Sequence, residues 1–481
     1  MLATSTATHS VTSRLSHVAS SGRDFKRVSM DQTLARLSTY TSSLAYDDLP
    51  AETRHQAKRL WVDTIGCAIG ALNEPPIEMA RALATGATGD RVAPVVGGGT
   101  ANVEWATFVN GILMRYLDYN DFYQAPGMVT GGHPSDTLAP GLALSAMAGC
   151  DGTVLILAAV LGWEIYARTS DAVASRALDQ ALYAAIASAC VAAKVLDLSE
   201  EATANAISIA AVANVSVLQS RYGEMSMWKS CAVPYGCKNG VEAALMARLG
   251  MTAPDEPFEG GFGVFKVSTG SAELLRPFGG GDVPFQIHRS STKYFPIGSL
   301  AQTAIECALL IRRQLKSPDD ISEVNIETVR QAVALMASPD RWHPTIRETA
   351  DHSLPYGVAL ALLYGGVELG YFSPEYMQKQ EVAGMLNKIK VVVSEELDAL
   401  YPEQRTSVVE IVTHSGERFV EKKGYHRGHP NDPMSDDEIE SKFRSLVEPH
   451  LGRTKADQLL SLLWNLENVV DVRQIVELTS P

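Results

Sequence analysis

Apolar residues recur at helical spacing along the first half of the chain. Leu60, Ile65 and Ile69 fall on one face of a predicted helix over residues 50–72. Several later helices are rich in alanine, and small side chains let helices pack closely. These later helices are predicted over residues 100–116, 153–168, 180–196, 201–217 and 237–249. The pattern therefore indicates a helical domain that begins with residues 30–274.

The pattern changes near residue 275. Pro277, Pro284 and the glycine run between them mark a boundary. Beyond it, a helix is predicted over residues 298–315, and strands over 324–329, 389–393, 407–412 and 417–420, the last two forming a hairpin around Ser415-Gly416. These elements indicate a smaller α/β domain over residues 275–425. Helices are predicted again within the C-terminal segment 426–481, over residues 436–451 and 456–466.

Composition is that of a soluble globular protein with a sizeable core. Of 481 residues, 46% are hydrophobic and 20% are charged, and this length favours two domains. The net charge of −14 argues against a nucleic-acid partner, because no broad basic face is expected. No uninterrupted apolar run reaches the length of a membrane span. Residues 153–163 come closest, so no membrane partner is expected.

The six cysteines do not suggest a metal site or a disulfide framework. The one close pair, Cys231 and Cys237, has neither zinc-finger nor redox spacing. No motif of closely spaced cysteines that could bind an iron–sulfur cluster is present either. The cysteines therefore predict neither a metal site nor an iron–sulfur cluster.

Residues 1–29 differ in kind from the rest of the chain. They are rich in Ser and Thr and carry four basic residues against one acid, Asp24. This composition resembles a mitochondrial transit peptide, which would place the protein in mitochondria. A disordered tail, or upstream sequence before a true start at Met30, fits equally well. The protein would then be cytoplasmic.

Polar residues crowd into residues 116–140, YLDYNDFYQAPGMVTGGHPSDTLAP, between two helix-like apolar runs. Prolines and glycines break regular structure here, at Pro126-Gly127 and Gly131-Gly132. Polar groups between buried helices are costly unless they are satisfied or used. A loop of this kind can aim acids, a histidine and backbone N–H groups at one small anion. The stretch therefore predicts acid–base chemistry on a carboxylate substrate.

LDYND followed by GHPSD resembles the MmgE/PrpD family. Further matching motifs cover most of the chain from about Met30 and lie at residues 227–250, 258–265, 292–296, 348–366 and 428–444. The resemblance implies a cofactor-independent lyase that dehydrates 2-methylcitrate or a related alkylcitrate, a tricarboxylate. It also implies that the α/β domain is a lid, that the C-terminal segment returns to the helical domain, and that the protein is a homodimer.

The family pattern implies four catalytic residues. Asp118 and His133 match its acid–base pair, and Lys229 and Lys293 match two substrate-facing lysines. Read alone, Asp118 would be a helix cap, His133 a satisfied loop histidine, and each lysine a surface group with a buried stem. Within the matched motifs we expect all four at the active site.

A second group is expected to bind the substrate or to orient the groups that do. Its members are Asn120, Asp121, Ser135, Arg221, His352 and Tyr356. His352 and Tyr356 are expected to reach the site from the lid on closure. Asp136 is interpreted instead as the N-cap of the next helix, and Lys238 as lying on the helix that begins beside it.

Two departures from the family pattern leave the activity open. Some members carry a histidine near positions 178–180, where this chain has Leu-Asp-Gln. Some carry His or Glu near positions 297–299, where this chain has Ile-Gly-Ser. The alternatives are therefore cis-aconitate decarboxylation to itaconate, epimerisation of a small dicarboxylate, or a non-catalytic relative that binds carboxylates.

Overall fold

The computed structural model describes residues 30–125, 131–173, 177–268, 270–271, 275 and 277–481. The predicted transit peptide or tail, residues 1–29, lies outside these ranges. So do the Pro126-Gly127 break and residue 274, at the predicted domain boundary.

Small residues allow the helices of the first part to pack closely. These helices are α1 (Gln32–Ser43), α2 (Ala51–Gly70), α3 (Pro75–Leu83), α4 (Val103–Arg115), α5 (Leu138–Ala148), α6 (Gly152–Ala172), α7 (Ala181–Val195), α8 (Glu200–Ala213), α9 (Trp228–Arg248) and α10 (Val264–Val267). On α9, a Cβ added at Gly236 or Gly240 would stand 2.5 or 2.4 Å from a carbonyl oxygen of α7. The two helix backbones can therefore meet only because these positions lack side chains.

The start of α9 corrects the sequence prediction. The helix begins at Trp228, not at Cys237, and contains Pro234 in its interior. Proline is a helix-breaking signal because it lacks the backbone N–H. Here its ring packs against Gly111 of α4, where an added Cβ would come within 2.8 Å of it. Lys229 therefore stands in the first turn of a long helix.

The predicted helix over residues 100–116 also begins later than expected. Its first residues form β2 (Thr100–Asn102), which pairs antiparallel with β1 (Val92–Pro94) before α4 begins. Another short antiparallel pair, β3 (Tyr123–Gln124) with β4 (Gly131–Gly132), lies within the polar stretch.

The α/β part is built on a four-stranded sheet in the order β6-β5-β7-β8. Its strands are β5 (Ile321–Thr328), β6 (Ile389–Val393), β7 (Ser407–Thr413) and β8 (Arg418–Lys423). β5 and β6 run parallel, and the other pairs are antiparallel. Its helices are α11 (Gln302–Arg312), α12 (Arg330–Met336), α13 (Arg347–Ala350), α14 (Leu354–Tyr364), α15 (Pro374–Met377), α16 (Gln380–Leu386) and α17 (Glu395–Asp398). All four predicted strands and the hairpin are confirmed.

The buried apolar residues form two cores. One joins residues 34–287 with residues 434–476, and the other lies within residues 295–411. The C-terminal helices are α18 (Asp436–Trp464), kinked at Gly452, and α19 (Arg473–Leu478). The glycines of α2 at positions 66 and 70 face Phe443 and Leu446 of α18, which lets these helices approach closely. The predicted fold class, mainly α with a smaller α/β part, is confirmed.

Helix α6 is long and apolar enough to cross a membrane by length and composition. However, 89% of its most apolar 18-residue window is buried inside the protein. It also carries the buried ion pair of Glu164 with Arg168, 2.9 Å apart. Helix α6 is therefore a core helix. It extends beyond the apolar run of residues 153–163.

A buried lysine of α18 fixes the C-terminal helix to the polar stretch. Lys442 Nζ lies 2.6 Å from Asp63 Oδ1 on α2. It also donates hydrogen bonds to the main-chain oxygens of Tyr119 and Lys293, at 2.7 and 2.9 Å. One ammonium group of α18 thus connects α2 with the main chain at Tyr119 and at Lys293.

Replacing this lysine should be costly. Lys442→Met leaves the Asp63 carboxylate buried without its cation, so we expect the free energy of unfolding to fall by about 3–5 kcal/mol. Urea unfolding followed by tryptophan fluorescence measures the change. Lys390→Met, which breaks the exposed pair with Glu323, is the control and should cost less than about 1 kcal/mol. Equal effects in the two variants would contradict this role for Lys442.

Candidate active site

The carboxylate of Asp118 is shared by three cations. Asp118 follows the last turn of α4 with φ of 49°, a left-handed conformation that aspartate tolerates. Arg115 Nη1 donates to Oδ1 at 2.5 Å, and Lys293 Nζ donates to Oδ2 at 2.7 Å. Lys229 Nζ lies 3.9 Å from Oδ1. All four side chains are buried, so this group of charges is shielded from solvent.

The cations decide the charge of Asp118. Burial alone would raise its pKa, but the charges of Lys229, Lys293 and Arg115 outweigh burial. They hold the pKa of Asp118 well below 3.8, so its carboxylate is ionised at neutral pH.

Lys293 is a buried cation whose pKa lies close to neutral pH. Burial lowers the pKa of its ammonium to about 8, with Asp118 acting in the opposite direction and Arg115 adding to the lowering. Its Nζ also donates to the main-chain oxygen of Asp118 at 2.6 Å. A lysine with this pKa is mostly charged at pH 7 and still able to give up its proton.

His133 is a neutral imidazole with a defined proton. Its Nδ1 lies 2.6 Å from the main-chain oxygen of Asp121. A carbonyl oxygen can only accept a hydrogen bond, so Nδ1 carries the proton and Nε2 is left as a bare acceptor. Nε2 lies 4.0 Å from Asp118 Oδ1. Burial first, and then the charges of Arg115 and Lys293, hold the pKa of His133 well below 6.5.

The two glycines before His133 allow close approach of the chain. A Cβ at Gly131 would stand 2.2 Å from the main-chain oxygen of Tyr123. Gly132, with φ of 152°, would place a Cβ 2.1 Å from the Tyr166 hydroxyl and 2.3 Å from Gln180 Oε1. Side chains at these positions would push β4, and with it His133, away from Asp118.

A second imidazole approaches Asp118 from the α/β part. His352 Nε2 lies 3.9 Å from Asp118 Oδ2. Its Nδ1 lies 2.6 Å from Asp351 Oδ1, which requires a proton between the two atoms. Lys229 Nζ lies 3.0 Å from the same carboxylate oxygen. Burial, followed by the charge of Lys229, lowers the pKa of His352, so it is also neutral at pH 7.

These groups stand at the wall of a cavity of about 530 Å³ between the two parts of the chain. Arg115, Asp118, His133, Lys293 and His352 form its polar wall. Apolar side chains from both parts line the remainder, among them Phe122, Leu178, Leu218, Met225, Leu335 and Met336. Lys229 does not line the cavity. It lies behind Asp118 and His352 and contacts both.

Arg221, predicted to bind the substrate, lines the cavity but is already paired with Asp179. Its Nε donates to Asp179 Oδ2 at 2.9 Å, and its Nη1 donates to the main-chain oxygen of Lys229 at 2.8 Å. Burial opposes the charge on Asp179, yet Arg221 lowers the pKa of that carboxyl below 3.8. The pair therefore holds the start of α9 against residues 178–180.

The structure does not bring four predicted binding residues to the cavity. Three of them bond to one another: Asn120 Nδ2 donates to Ser135 Oγ at 2.9 Å, and Ser135 Oγ donates to Asp121 Oδ1 at 2.6 Å. Trp163 completes this buried group by donating to Asp121 Oδ2 at 2.8 Å. These polar side chains satisfy each other behind His133 and so fix its loop.

Tyr356, the fourth of these residues, lies in the core of the α/β part. Its hydroxyl donates to the main-chain oxygen of Tyr371 at 2.6 Å. The side chain is therefore used to join α14 to the segment before α15. Its neighbour in the sequence motif, His352, does reach the cavity.

The N-cap interpretation of Asp136 is wrong. The residue before α5 is Thr137, and no side chain caps that helix. Asp136 lies fully buried in a short 3₁₀ turn, with Arg115 Nε 3.8 Å from its Oδ2. Burial, opposed by Arg115, raises the pKa of Asp136 to about 8, so this carboxyl is mostly neutral at pH 7.

Three residues of the site were missed by sequence reasoning. Arg115 stands one helical turn before Asp118, and that i, i+3 spacing could have identified it. Asp351 is adjacent to His352 and was available from the same motif. Arg405 lines the cavity from the segment before β7, where nothing in the local sequence marks it. Among the described residues, no cluster of three His, Cys, Asp or Glu side chains is arranged to hold a metal ion.

The chain matches two domain models of one protein family along most of its length. The model for the MmgE/PrpD N-terminal domain matches residues 35–276, and the model for the MmgE/PrpD C-terminal domain matches residues 295–468. The 2-methylcitrate dehydratase of Salmonella typhimurium is 28% identical over 417 residues, covering 79% of this chain and 81% of that protein. The mitochondrial 2-methylcitrate dehydratase of Yarrowia lipolytica is 27% identical over 464 residues, covering 87% and 84%. The cis-aconitate decarboxylase of Mus musculus is 24% identical over 405 residues, covering 78% of each chain.

Substitutions of Asp118 and Lys293 should have non-additive effects on the free energy of unfolding, because the two side chains form an ion pair. Asp118→Asn removes the carboxylate that Arg115 and Lys293 contact directly, so we expect the free energy of unfolding to fall by about 3–5 kcal/mol. Adding Lys293→Met removes one of these cations and should recover part of the loss, with a coupling of about 1–3 kcal/mol in a double-mutant cycle.

Urea unfolding of the wild type, both single variants and the double variant gives this coupling. The same cycle on the exposed pair Glu323 and Lys390, using Glu323→Gln and Lys390→Met, is the control and should give less than about 1 kcal/mol. Additive effects at Asp118 and Lys293 would contradict the shared-charge description.

Proposed function

This chain belongs to the MmgE/PrpD family and is a lyase, and we propose that it dehydrates 2-methylcitrate or a related alkylcitrate to the corresponding aconitate. The observation that carries the proposal is the pairing of a bare imidazole nitrogen with an ammonium group beside one carboxylate. His133 Nε2 lies 4.0 Å from Asp118 Oδ1, and Lys293 Nζ lies 2.7 Å from Oδ2. Base and acid thus face one cavity.

The proposed reaction uses these two groups in turn. Nε2 of His133 takes the proton from the carbon next to a substrate carboxylate, and the electron pair of that C–H bond forms the carbon–carbon double bond. The hydroxyl on the neighbouring carbon leaves with the proton of the Lys293 ammonium, as water. Asp118 remains ionised and holds Lys293 in place. The products are water and an alkylaconitate. His133 has gained one proton and Lys293 has lost one.

The cations beside Asp118 supply the electrostatic part of the proposed mechanism. Removing a proton next to a carboxylate develops enediolate-like negative charge, which fixed positive groups stabilise. Arg115 and Lys293 both line the cavity, so one substrate carboxylate can lie against them. Their burial strengthens this interaction because water does not screen it.

The apolar wall supports a substrate with an alkyl arm. Leu178, Leu218 and Met225 from the helical part face the cavity together with Leu335 and Met336 from the α/β part. Such a lining suits a methyl group or a longer chain better than a substrate that is polar on every side. We therefore include longer alkylcitrates in the proposed substrate class.

Cis-aconitate decarboxylation is the second candidate. The named mouse relative supports it, and the same cations would hold the carboxylates. Loss of carbon dioxide breaks a carbon–carbon bond and leaves a carbanion, which then needs only a proton. Dehydration needs both a base and an acid. The bare Nε2 of His133 beside the acidic Lys293 therefore favours dehydration.

A direct assay of the purified protein tests the proposed function. We expect 2-methylcitrate to give rising ultraviolet absorbance from the conjugated alkene, and His133→Ala to lose it while remaining folded. His55→Ala changes a histidine on the surface that pairs with Asp436, and it should keep the activity. Carbon dioxide released from cis-aconitate, without any signal from 2-methylcitrate or a longer alkylcitrate, would favour decarboxylation instead.

The pH dependence of kcat/KM should have an alkaline limb near pH 8 and a flat region below it. Lys293 must be protonated to act as the acid, and its pKa is about 8. Activity should therefore fall as the pH rises through that value. His133 must be neutral to act as the base, and its pKa lies well below 6.5, so no loss is expected near pH 6.5.

The variant Lys293→Arg identifies the group responsible for the limb. Arginine stays charged throughout this range, so the variant should lose most of its turnover, and any remaining activity should lack the limb near pH 8. Lys390→Arg, at an exposed lysine, should keep the wild-type profile. A limb near pH 8 that persists in Lys293→Arg would exclude Lys293 as its source and would assign it to another group, such as Asp136, whose pKa is also about 8.

A further inference from the structure

Arg405 brings a guanidinium from the α/β part into the cavity wall. It lies just before β7 and is only 8% exposed. Its Nη2 donates to Gln124 Oε1 at 2.5 Å, and its Cζ lies 4.2 Å from the centroid of the Phe122 ring. Both of these partners belong to the polar stretch of the helical part. Arg405 therefore connects the two parts across the cavity.

This guanidinium has no carboxylate partner among the described residues. The titratable groups that interact with it are Tyr401, His426 and His429. Burial raises the pKa of Tyr401 and lowers the pKa of His426 to about 3 and of His429 to about 4. All three are uncharged at pH 7. Burial also lowers the pKa of Arg405 itself to about 10, which leaves it charged.

Other cations at the cavity wall are paired with acids. Lys293 is paired with Asp118, and Arg221 with Asp179. Arg330, also at the wall, is paired with Glu395 and Asp398. A buried charge without a partner destabilises the folded protein. An anion from solution that enters the cavity can supply the missing charge.

We propose that Arg405 binds a second carboxylate of the substrate, away from the carboxylate held by Arg115 and Lys293. This inference rests on the proposed function for the identity of the substrate as a tricarboxylate. The Phe122 ring contacts both Arg405 and the imidazole of His133, whose ring centroid is 5.6 Å away. A substrate carboxylate bound to Arg405 is thus anchored beside the Phe122 ring, which also contacts the proposed base, His133.

Charge in the rest of the site agrees with two separate anchors. Arg115, Lys229 and Lys293 face two ionised carboxylates, those of Asp118 and Asp351, which leaves one positive charge in excess. Arg405 adds a second excess charge, which lies against the Phe122 ring. Two carboxylates of one ligand can therefore be neutralised at two places, which fixes the orientation of the carbon chain between them.

Binding of propane-1,2,3-tricarboxylate tests the anchor without any turnover, because this analogue has no hydroxyl group to lose. Calorimetry should give a dissociation constant at least about 30-fold higher for Arg405→Gln than for the wild type, as expected for a lost buried charge pair. Arg418→Gln changes an exposed arginine of the same sheet that pairs with Glu410, and it should bind like the wild type.

Thermal unfolding separates an anchor from a structural arginine. Without ligand, Arg405→Gln should melt at or above the wild-type temperature, because the variant removes an unpaired buried charge. The tricarboxylate should raise the melting temperature of the wild type and of Arg418→Gln, but not of Arg405→Gln. A variant that melts lower without ligand yet binds the tricarboxylate normally would overturn the proposal, and so would a wild type that fails to bind it.

The two proposals can fail separately. Arg405-dependent binding in a protein without activity on alkylcitrates would keep the anchor and remove the proposed function. Alkylcitrate dehydration with binding independent of Arg405 would keep the function and remove the anchor.

Discussion

The ionised carboxylate of Asp118 is the constraint on which the site depends. A buried carboxylate is tolerated only when cations surround it, and these cations come from distant segments. Arg115 ends α4, Lys229 lies in the first turn of α9, and Lys293 lies just before the apolar core of residues 295–411. The same charge therefore sets the positions of three separate segments. Lys442 then holds the main chain at Lys293 from the opposite side, so α18 belongs to the support of the site.

One cluster of charges also creates two opposite protonation states. Burial makes protonation of His133 unfavourable, and Arg115 and Lys293, two of the cations that keep Asp118 ionised, add to this because they repel an imidazolium. Asp118 in turn offsets part of the burial cost of Lys293 and keeps its pKa near 8, where it can serve as an acid. The protonation states of the proposed base and the proposed acid therefore depend on burial together with one shared arrangement of charges.

Sequence patterns predicted the fold class and several side chains that meet at the candidate site, but not how the polar residues around them are used. Asp118, His133 and Lys293 could be predicted because they lie in recognisable motifs. Asn120, Asp121 and Ser135 share the first two of those motifs, yet their hydrogen bonds are made with each other, which only the folded loop decides. Arg405 could not be predicted, because its contact with Phe122 joins residues far apart in the chain. The early start of α9 was hidden by Pro234, whose acceptance depends on Gly111 of another helix.

The two departures from the family pattern acquire a physical meaning from the cavity wall. At residues 178–180, Asp179 forms an ion pair with Arg221, and Gln180 lines the cavity as an uncharged side chain. At residues 297–299, Gly298 and Ser299 line the cavity and are also uncharged. Ionisable groups at these places would compete for the substrate carboxylates or for the proton. Because no such groups are present at these places, the proposed acid–base groups are concentrated around Asp118. Recognition of a second carboxylate is then left to a cation elsewhere on the wall. Arg405, which is buried without an acidic partner in the described part of the chain, suits that role.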